Sequence, residues 1–358
     1  MTVVGIESWI LRFPYHPGAA AGSWDTVDLV GVFADIEGGA RGMGFTYAFQ
    51  RAGASIKAMI DDVLMPVVLG RPLAGRGALW DELWWMTRRL GAGVSMLALS
   101  ALDIALWDAA ARAANLPLHR LLGAVRDDVP VFASGNYSPV LSVEALVANA
   151  LRDVDRGFRA IKIRTGGRTP EDDLARLAAV RRAIGDHVRL MADAAELMTL
   201  PDAMWMLPRL ADLGLYWFEE PLASEDLAGY RQLQQHADFP IAMGEHFFNR
   251  TQFLDCLRAE AAQVLQPDIC LVGGVTEYLR IEALAQSHCR PLSPHLVTDL
   301  HVPLAAASAN TVYVEHFPFT DRLFEETPAL VDGRALAMNR PGHGLTFRKE
   351  AFEAFRIG

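Results

Sequence analysis

Cysteine is scarce in this sequence. Cys256, Cys270 and Cys289 are the only three in 358 residues, and they do not stand at metal-ligand spacing. A disulfide framework and a thiolate metal site are therefore not expected, and the odd, sparse count fits a reducing compartment. Basic runs are absent, and the formal net charge is −10. Neither nucleic acid nor an anionic membrane is expected as a partner. The chain begins Met1-Thr2-Val3-Val4-Gly5-Ile6-Glu7, with no basic region ahead of an apolar stretch. No run approaches the roughly 20 apolar residues of a membrane span. The expectation is a soluble, cytoplasmic protein.

Apolar residues are abundant. The composition is 51% hydrophobic and 21% charged, so a large core is available and global disorder is excluded. The length allows two domains, or one barrel with an appended domain. Residues 3–13 and 28–37 read as strands, and alternation runs through Leu29 to Ile36. Residues 14–24 between them are too long and too rich in Gly, Pro and Ala for a tight hairpin. They make either a lid or a plain surface loop. Residues 42–47 read as a second such loop. Helical spacing follows at Ile56, Met59, Ile60, Val63 and Leu64, and again at Leu79, Leu83 and Trp84. From Met96 to Ala114 a helix is apolar nearly all round, broken by Asp103, Asp108 and Arg112, so burial is expected. The first domain, 1–124, closes near Gly123.

A strand-then-helix rhythm starts at about residue 129. Strand one is 129–134, followed by a helix capped by Ser142. Strand two is 160–164. Thr169-Pro170-Glu171-Asp172 then starts a helix: a cap, proline at the first position, acids in the first turn. Strands three, four and five carry Asp193, Glu219 and Glu245. Strands six to eight are 263–268, 290–295 and 311–315. Eight units close naturally as a TIM-type barrel over 125–319. Pro208 predicts a kink or an early end in the helix after strand three. The segment 320–358 is loop-rich and is expected to return to the first domain.

Three acids organise the chain. Asp193, Glu219 and Glu245 each follow a short apolar run, and 26 residues separate each from the next. That interval is about one strand-plus-helix unit. Three acids at one height on successive parallel strands would repel each other when buried. A hard divalent cation with oxygen ligands resolves this, and Mg²⁺ (one per subunit) is the expectation. The bland alternative is three strand-end acids capping the next helices. Other strands also end in titratable groups: Lys162 with Arg164, Asp268, His295 and Glu315. Lys162 and Arg164 are two apart, so both face one side of their strand. Asp268 and His295 stand on neighbouring strands, where the carboxylate can hold one imidazole nitrogen and make the other a base. A satisfied barrel-mouth histidine is the competing reading of His295.

These residues resemble a known family. Lys162-x-Arg164, Asp193, Glu219-Glu220-Pro221, Gly244-Glu245, Asp268, His295 and Glu315 are similar, in order and spacing, to the mandelate racemase subgroup of the enolase superfamily. Ser100 to Asp108 and Leu121-Leu122-Gly123 resemble its linking segment. The resemblance implies an α/β fold: a modified TIM barrel with an N-terminal α+β capping domain. It implies Mg²⁺ on Asp193, Glu219 and Glu245, and proton abstraction next to a carboxylate. Lys162 would hold that carboxylate with the metal, and Glu315, if protonated, would donate a hydrogen bond to it. His16 and Trp24 fall where the family places its specificity loop. Tyr47, Asn136 and His246 complete the expected substrate contacts, a surface histidine being the alternative for His246. A small-molecule carboxylate is the implied partner, and a homo-oligomer, octamer or dimer, is implied by analogy. The chain departs from the family pattern in having Arg164 where the family has lysine, and Ala195 where it often has asparagine. Pro294-His295-Leu296, residues 299–307 and Val314 to Phe317 look most like sugar-acid and aldarate dehydratases. The expected activity is a hydro-lyase with His295 as base. A racemase or epimerase, and a metal-binding protein without catalysis, remain the alternatives.

Overall fold

The computed structural model describes residues 1–15, 26–49 and 51–357. His16, Trp24 and most of the expected lid 14–24 lie outside the described residues.

Three antiparallel strands open the chain: β1 (Val3–Pro14), β2 (Thr26–Ile36) and β3 (Arg41–Phe49). The third is a correction. Residues 42–47, read as a loop because of Gly42 and Gly44, are in register with β2 from Asp35↔Arg41 to Val27↔Phe49. The glycines serve a close approach and not a turn. A Cβ on Gly42 would lie 2.1 Å from the Ala105 carbonyl oxygen, and one on Gly44 would lie 2.2 Å from that of Ala101. They let the helix Val94–Ala113 press its backbone onto the sheet.

That helix has the length and apolarity to cross a membrane, contrary to the expectation of no such run, yet 78% of its apolar window is buried inside the protein. Its polar residues are contacts. Asp108 accepts from the Met43 and His343 amides and pairs with Arg112, and Asp103 accepts from the Thr276 amide and hydroxyl. Thr46 donates to the Cys270 carbonyl, Trp80 donates to that of Gly273, and the Gly273 amide donates to Ser100. The cap is thus seated on residues 270–276, and β3 lies over the barrel mouth.

The barrel strands are β4 (Asp128–Ala133), β5 (Ala160–Arg164), β6 (Arg189–Asp193), β7 (Leu215–Glu219), β8 (Ile241–Met243), β9 (Val264–Leu265) and β10 (Val314–His316). Neighbours pair in parallel, and β10 closes on β4. The expected strand 290–295 is reduced to Leu292, which bridges Leu265 on one side and Thr311 on the other. Pro291 and Pro294 have no N–H for a ladder, so no longer strand forms there. Ser142 and Thr169 cap their helices as expected, accepting from the Ala145 and Asp172 amides. Pro208 does not end its helix, Leu200–Asp212, whose buried face (Ala203, Met206, Leu207, Leu210) carries it through. After residue 320 the chain adds a hairpin to the barrel, β11 (Leu330–Val331) and β12 (Arg334–Leu336), the latter antiparallel to β4. The helix Lys349–Phe355 then packs on β1, where Trp9 meets Phe347 and Phe352 edge-on.

Candidate active site

Strand register brings the expected residues together. Arg164 pairs with Asp193, Asp193 with Glu219, and Glu219 with Ala242, three residues before Glu245. Parallel pairing in step puts the strand-end side chains at one height on one rim. Lys162 projects into their midst. Its ammonium stands 3.3 Å from Asp193 Oδ2 and 3.0 Å from Glu315 Oε1, and it bonds Glu219 Oε1. Arg164 Nη1 lies 3.1 Å from Asp193 Oδ1. The Trp217 indole, two residues before Glu219 and so on the same face, donates to Glu219 Oε2 at 3.1 Å.

Across the mouth, His295 Nδ1 meets Asp268 Oδ2 at 3.0 Å, and His295 Nε2 lies 3.5 Å from Glu245 Oε2. Asp268 is fully buried and held by three groups. The Cys270 amide donates to Oδ1 at 2.7 Å, and the Tyr47 hydroxyl donates to Oδ2 at 2.7 Å. Tyr47 lines the cavity, but its hydroxyl is committed to Asp268 and not turned to a substrate.

The acids are electrostatically crowded. Burial, with Asp193, Glu245 and Glu315 nearby, pushes Glu219 up to about 8 against the pull of Lys162. Burial likewise pushes Glu245 up to about 7, opposed by His295 and reinforced by Glu220 and Asp193. Asp193 is held below its ordinary value, because Lys162 and Arg164 outweigh its burial. Burial works against charge on His295, but Glu245, the bond to Asp268 and Glu315 overcome it and hold it at about 10, so a neutral His295 that can act as a base requires a cation to offset the charge of Glu245. Glu315 is pulled the other way. Burial favours its neutral form, yet Lys162, His295, the Ser134 hydroxyl and the Leu296 amide bring it down to about 2. In this arrangement it faces Lys162 at 3.0 Å and accepts from the Leu296 amide at 2.7 Å.

By donor type a divalent cation suits Asp193, Glu219 and Glu245, although Lys162 stands among the rim carboxylates and these three do not form a group with donor atoms within 4.8 Å of one another. Glu245 Oε2 is buried without a hydrogen-bond partner. Two further carboxylates of the rim are satisfied mainly by cations, and every donor is a hard oxygen, which suits Mg²⁺. A second cluster lies on the same rim. Donor atoms of Glu196, Glu220 and His246 fall within 4.8 Å of one another. His246 Nδ1 is 2.7 Å from Glu220 Oε2 and 3.4 Å from Glu196 Oε1. The bond to Glu220 is the main reason that His246 is raised to about 9. His246 lines both the cavity in front of His295 and another that is bordered by Glu196, Ser224 and Asp255.

Asn136 is a correction. It is exposed, its carbonyl accepts from Asn149, and it does not line the cavity. Gly135, at φ +88, turns the chain there, and Tyr137 is buried instead, donating to Asp153. Residues the sequence reading missed include Ser134, at the end of β4, and Tyr15, Leu97, Phe248 and Phe317 in the cavity wall. The period-two alternation of β4 could have flagged Ser134. No local signal marks the others.

A capping domain over a parallel barrel, with acids, a lysine and a histidine–aspartate pair at the strand ends, defines a cation-assisted acid–base enzyme. Residues 2–123 match the family "Mandelate racemase / muconate lactonizing enzyme, N-terminal domain", and residues 145–351 match "Enolase C-terminal domain-like". The chain belongs to the mandelate racemase subgroup of the enolase superfamily. It is 33% identical over 337 residues to the 3,6-anhydro-alpha-L-galactonate cycloisomerase of Streptomyces coelicolor, covering 92% of each chain. It is 33% identical to the L-talarate/galactarate dehydratase of Salmonella typhimurium, covering 87% of this chain and 79% of that one. Its fold superposes with a TM-score of 0.93, at 33% identity, on the L-talarate dehydratase of Polaromonas sp. JS666 complexed with Mg and L-glucarate, covering 100% of this chain and 98% of that one.

Proposed function

We propose that this enzyme removes the proton α to the carboxylate of a sugar acid and expels the β-oxygen, with Mg²⁺ as cofactor and His295 as the principal base. The observation that carries this reading is the His295–Asp268 pair facing Lys162 and three carboxylates across one cavity. Asp268 holds His295 by Nδ1, which leaves Nε2 as the nitrogen that takes the α-proton. Lys162 and Arg164 orient the substrate's carboxylate, and their positive charge stabilises the ene-diolate as it forms. Bound by Asp193, Glu219 and Glu245, Mg²⁺ would supply further positive charge at that carboxylate and relieve the crowding of the acids.

The electron pair left on the α-carbon moves toward the β-carbon, and the β carbon–oxygen bond breaks. The proton on His295 goes to the departing oxygen. A departing hydroxyl leaves as water, and the remaining enol becomes a 2-keto-3-deoxy acid. A departing ring oxygen stays attached, and the same step is then an isomerisation. The Streptomyces relative, a cycloisomerase, supports keeping this second outcome. Arg164 does not compete as base, because guanidinium stays protonated in proteins. With a base on one face only, the α-carbon is not racemised.

The test is a panel of sugar acids incubated with Mg²⁺, scored for 2-keto product and for α-proton exchange in D₂O. His295→Asn is expected to lose both, and Arg164→Met to retain exchange. Exchange by His295→Asn that Arg164→Met lacks, or inversion at the α-carbon as the main reaction, overturns the assignment.

A further inference from the structure

Beside the His295–Asp268 pair lies a histidine that the proposed reaction does not use. His301 is fully buried in the helix Thr298–Ala307. Its Nε2 accepts from the Ile269 amide at 3.0 Å. A buried amide left without an acceptor costs about as much as a lost hydrogen bond. Ile269 opens a turn in which the Leu271 and Val272 amides both donate to the Asp268 carbonyl. The amide between them and Ile269, that of Cys270, donates to Asp268 Oδ1 at 2.7 Å. His301 thus grips the backbone between Asp268 and the amide that orients its carboxylate.

The other end of the link leads to His295. The Val297 amide donates to the His295 carbonyl, and the His301 amide donates to that of Val297. The helix itself is fixed to the rim. Thr298 donates to the Glu315 carbonyl and accepts from the Phe317 amide, and Asp299 accepts from Thr320. One side chain therefore ties the segment carrying the base to the segment carrying its carboxylate. Nε2 can accept only in a neutral ring with its proton on Nδ1. Burial pushes His301 down to about 4, opposed by Asp268 and reinforced by His295, so the ring is neutral as the bond requires. Such bracing matters because a base must stand within hydrogen-bond reach of the proton it takes, and small misplacements slow the reaction steeply.

We propose that His301 is a positioning residue: by holding the Ile269 amide it sets the aim of the His295–Asp268 pair. The inference rests on the reading of His295 as the base.

The experiment compares His301→Gln with His301→Asn and His301→Leu. Glutamine can place its carbonyl oxygen where Nε2 stands, asparagine reaches only the position of Nδ1, and leucine has no acceptor. The substrate is the acid of the panel that exchanges its α-proton fastest in the parent enzyme, with Mg²⁺ present. His301→Gln should keep at least about a third of the parent kcat. His301→Asn and His301→Leu should each lose about 10-fold or more in kcat and in α-proton exchange alike, with KM changed by less than about twofold. A side chain that only fills space would lower stability and leave the kcat of the folded protein in place. The inference is overturned if asparagine and leucine keep kcat within about twofold of the parent, if glutamine loses as much as asparagine, or if KM rises at unchanged kcat. Should asparagine and leucine prevent folding, His301→Gln decides. A kcat of about a third or more, with the Ile269 amide still slow to exchange with solvent, upholds the inference, and a loss of about 10-fold or a fast-exchanging amide overturns it. His295→Asn is the control for the underlying reading. If it retains α-proton exchange, or if no acid in the panel exchanges, the base is wrongly assigned and the inference falls with it. If it loses exchange, the base stands whatever the variants at 301 show.

Discussion

Removing one hydroxyl from the cap should slow a reaction that takes place in the barrel. Tyr47 donates to Asp268 Oδ2 at 2.7 Å, and His295 Nδ1 meets the same oxygen at 3.0 Å. The amide of Cys270 holds only Oδ1. In Tyr47→Phe, Oδ2 keeps His295 alone, and the carboxylate can rotate about the Cys270 bond. A buried hydrogen bond to a charged group contributes about 1.5–3 kcal/mol, so the variant should unfold several degrees lower. The imidazole then loses its fixed aim. A loss of about 1.4 kcal/mol from the transition state corresponds to a ~10-fold lower kcat. KM should change by less than about twofold, since the lost hydroxyl does not bind substrate in this reading. The assay is steady-state formation of keto acid with Mg²⁺, paired with α-proton exchange in D₂O, at a temperature where both proteins are folded. The two rates should fall together. A kcat within twofold of the parent, alongside reduced thermal stability, would show that the hydroxyl only braces the cap. A raised KM with unchanged kcat would instead make Tyr47 a substrate contact.

Chelation should abolish turnover while leaving the barrel folded, and Glu219→Gln should do the same with Mg²⁺ present; full activity after exhaustive chelation would remove the metal from the mechanism. Asp103 gives a pH prediction away from the active site. Burial raises it from 3.8 to about 7, against the Thr276 hydrogen bonds and the charges of Arg76 and Arg280. A raised folded-state value means that its contribution is complete below about pH 4 and is lost as pH rises through about 7, by roughly 4 kcal/mol at most. Asp103→Asn should therefore flatten the fall in denaturation midpoint between pH 5 and pH 8, and an unchanged slope would refute the assignment. Gly44→Ala would force a Cβ to within 2.2 Å of the Ala101 carbonyl oxygen. It should destabilise the cap by more than about 2 kcal/mol, seen in the denaturation midpoint, and a neutral effect would mean that the helix can move off the sheet.

Much of the site was legible in the chain because its signals are local or periodic. The caps at Ser142 and Thr169 act within three residues. Lys162 and Arg164 share a face because alternate residues of any strand do. The repeated 26-residue interval reports the strand-plus-helix unit, so three acids could be assigned to one rim before any fold was known. Other features depend on elements far apart in sequence. Gly42 and Gly44 suggest a loop by themselves, and only the helix Val94–Ala113 above them shows that they permit contact. Tyr47 and Asp268 are 221 residues apart, and the docking of β3 over the mouth makes them a pair. Asn136 has suitable chemistry and a suitable place in the chain, but the turn at Gly135 leaves it facing solvent. The sequence by itself determined which titratable groups share the barrel rim, because backbone periodicity decides which side chains share an edge. The tertiary structure alone decided what surrounds them, because the apolar wall and the aim of His295 arise where cap and barrel meet, and no local rule relates those surfaces.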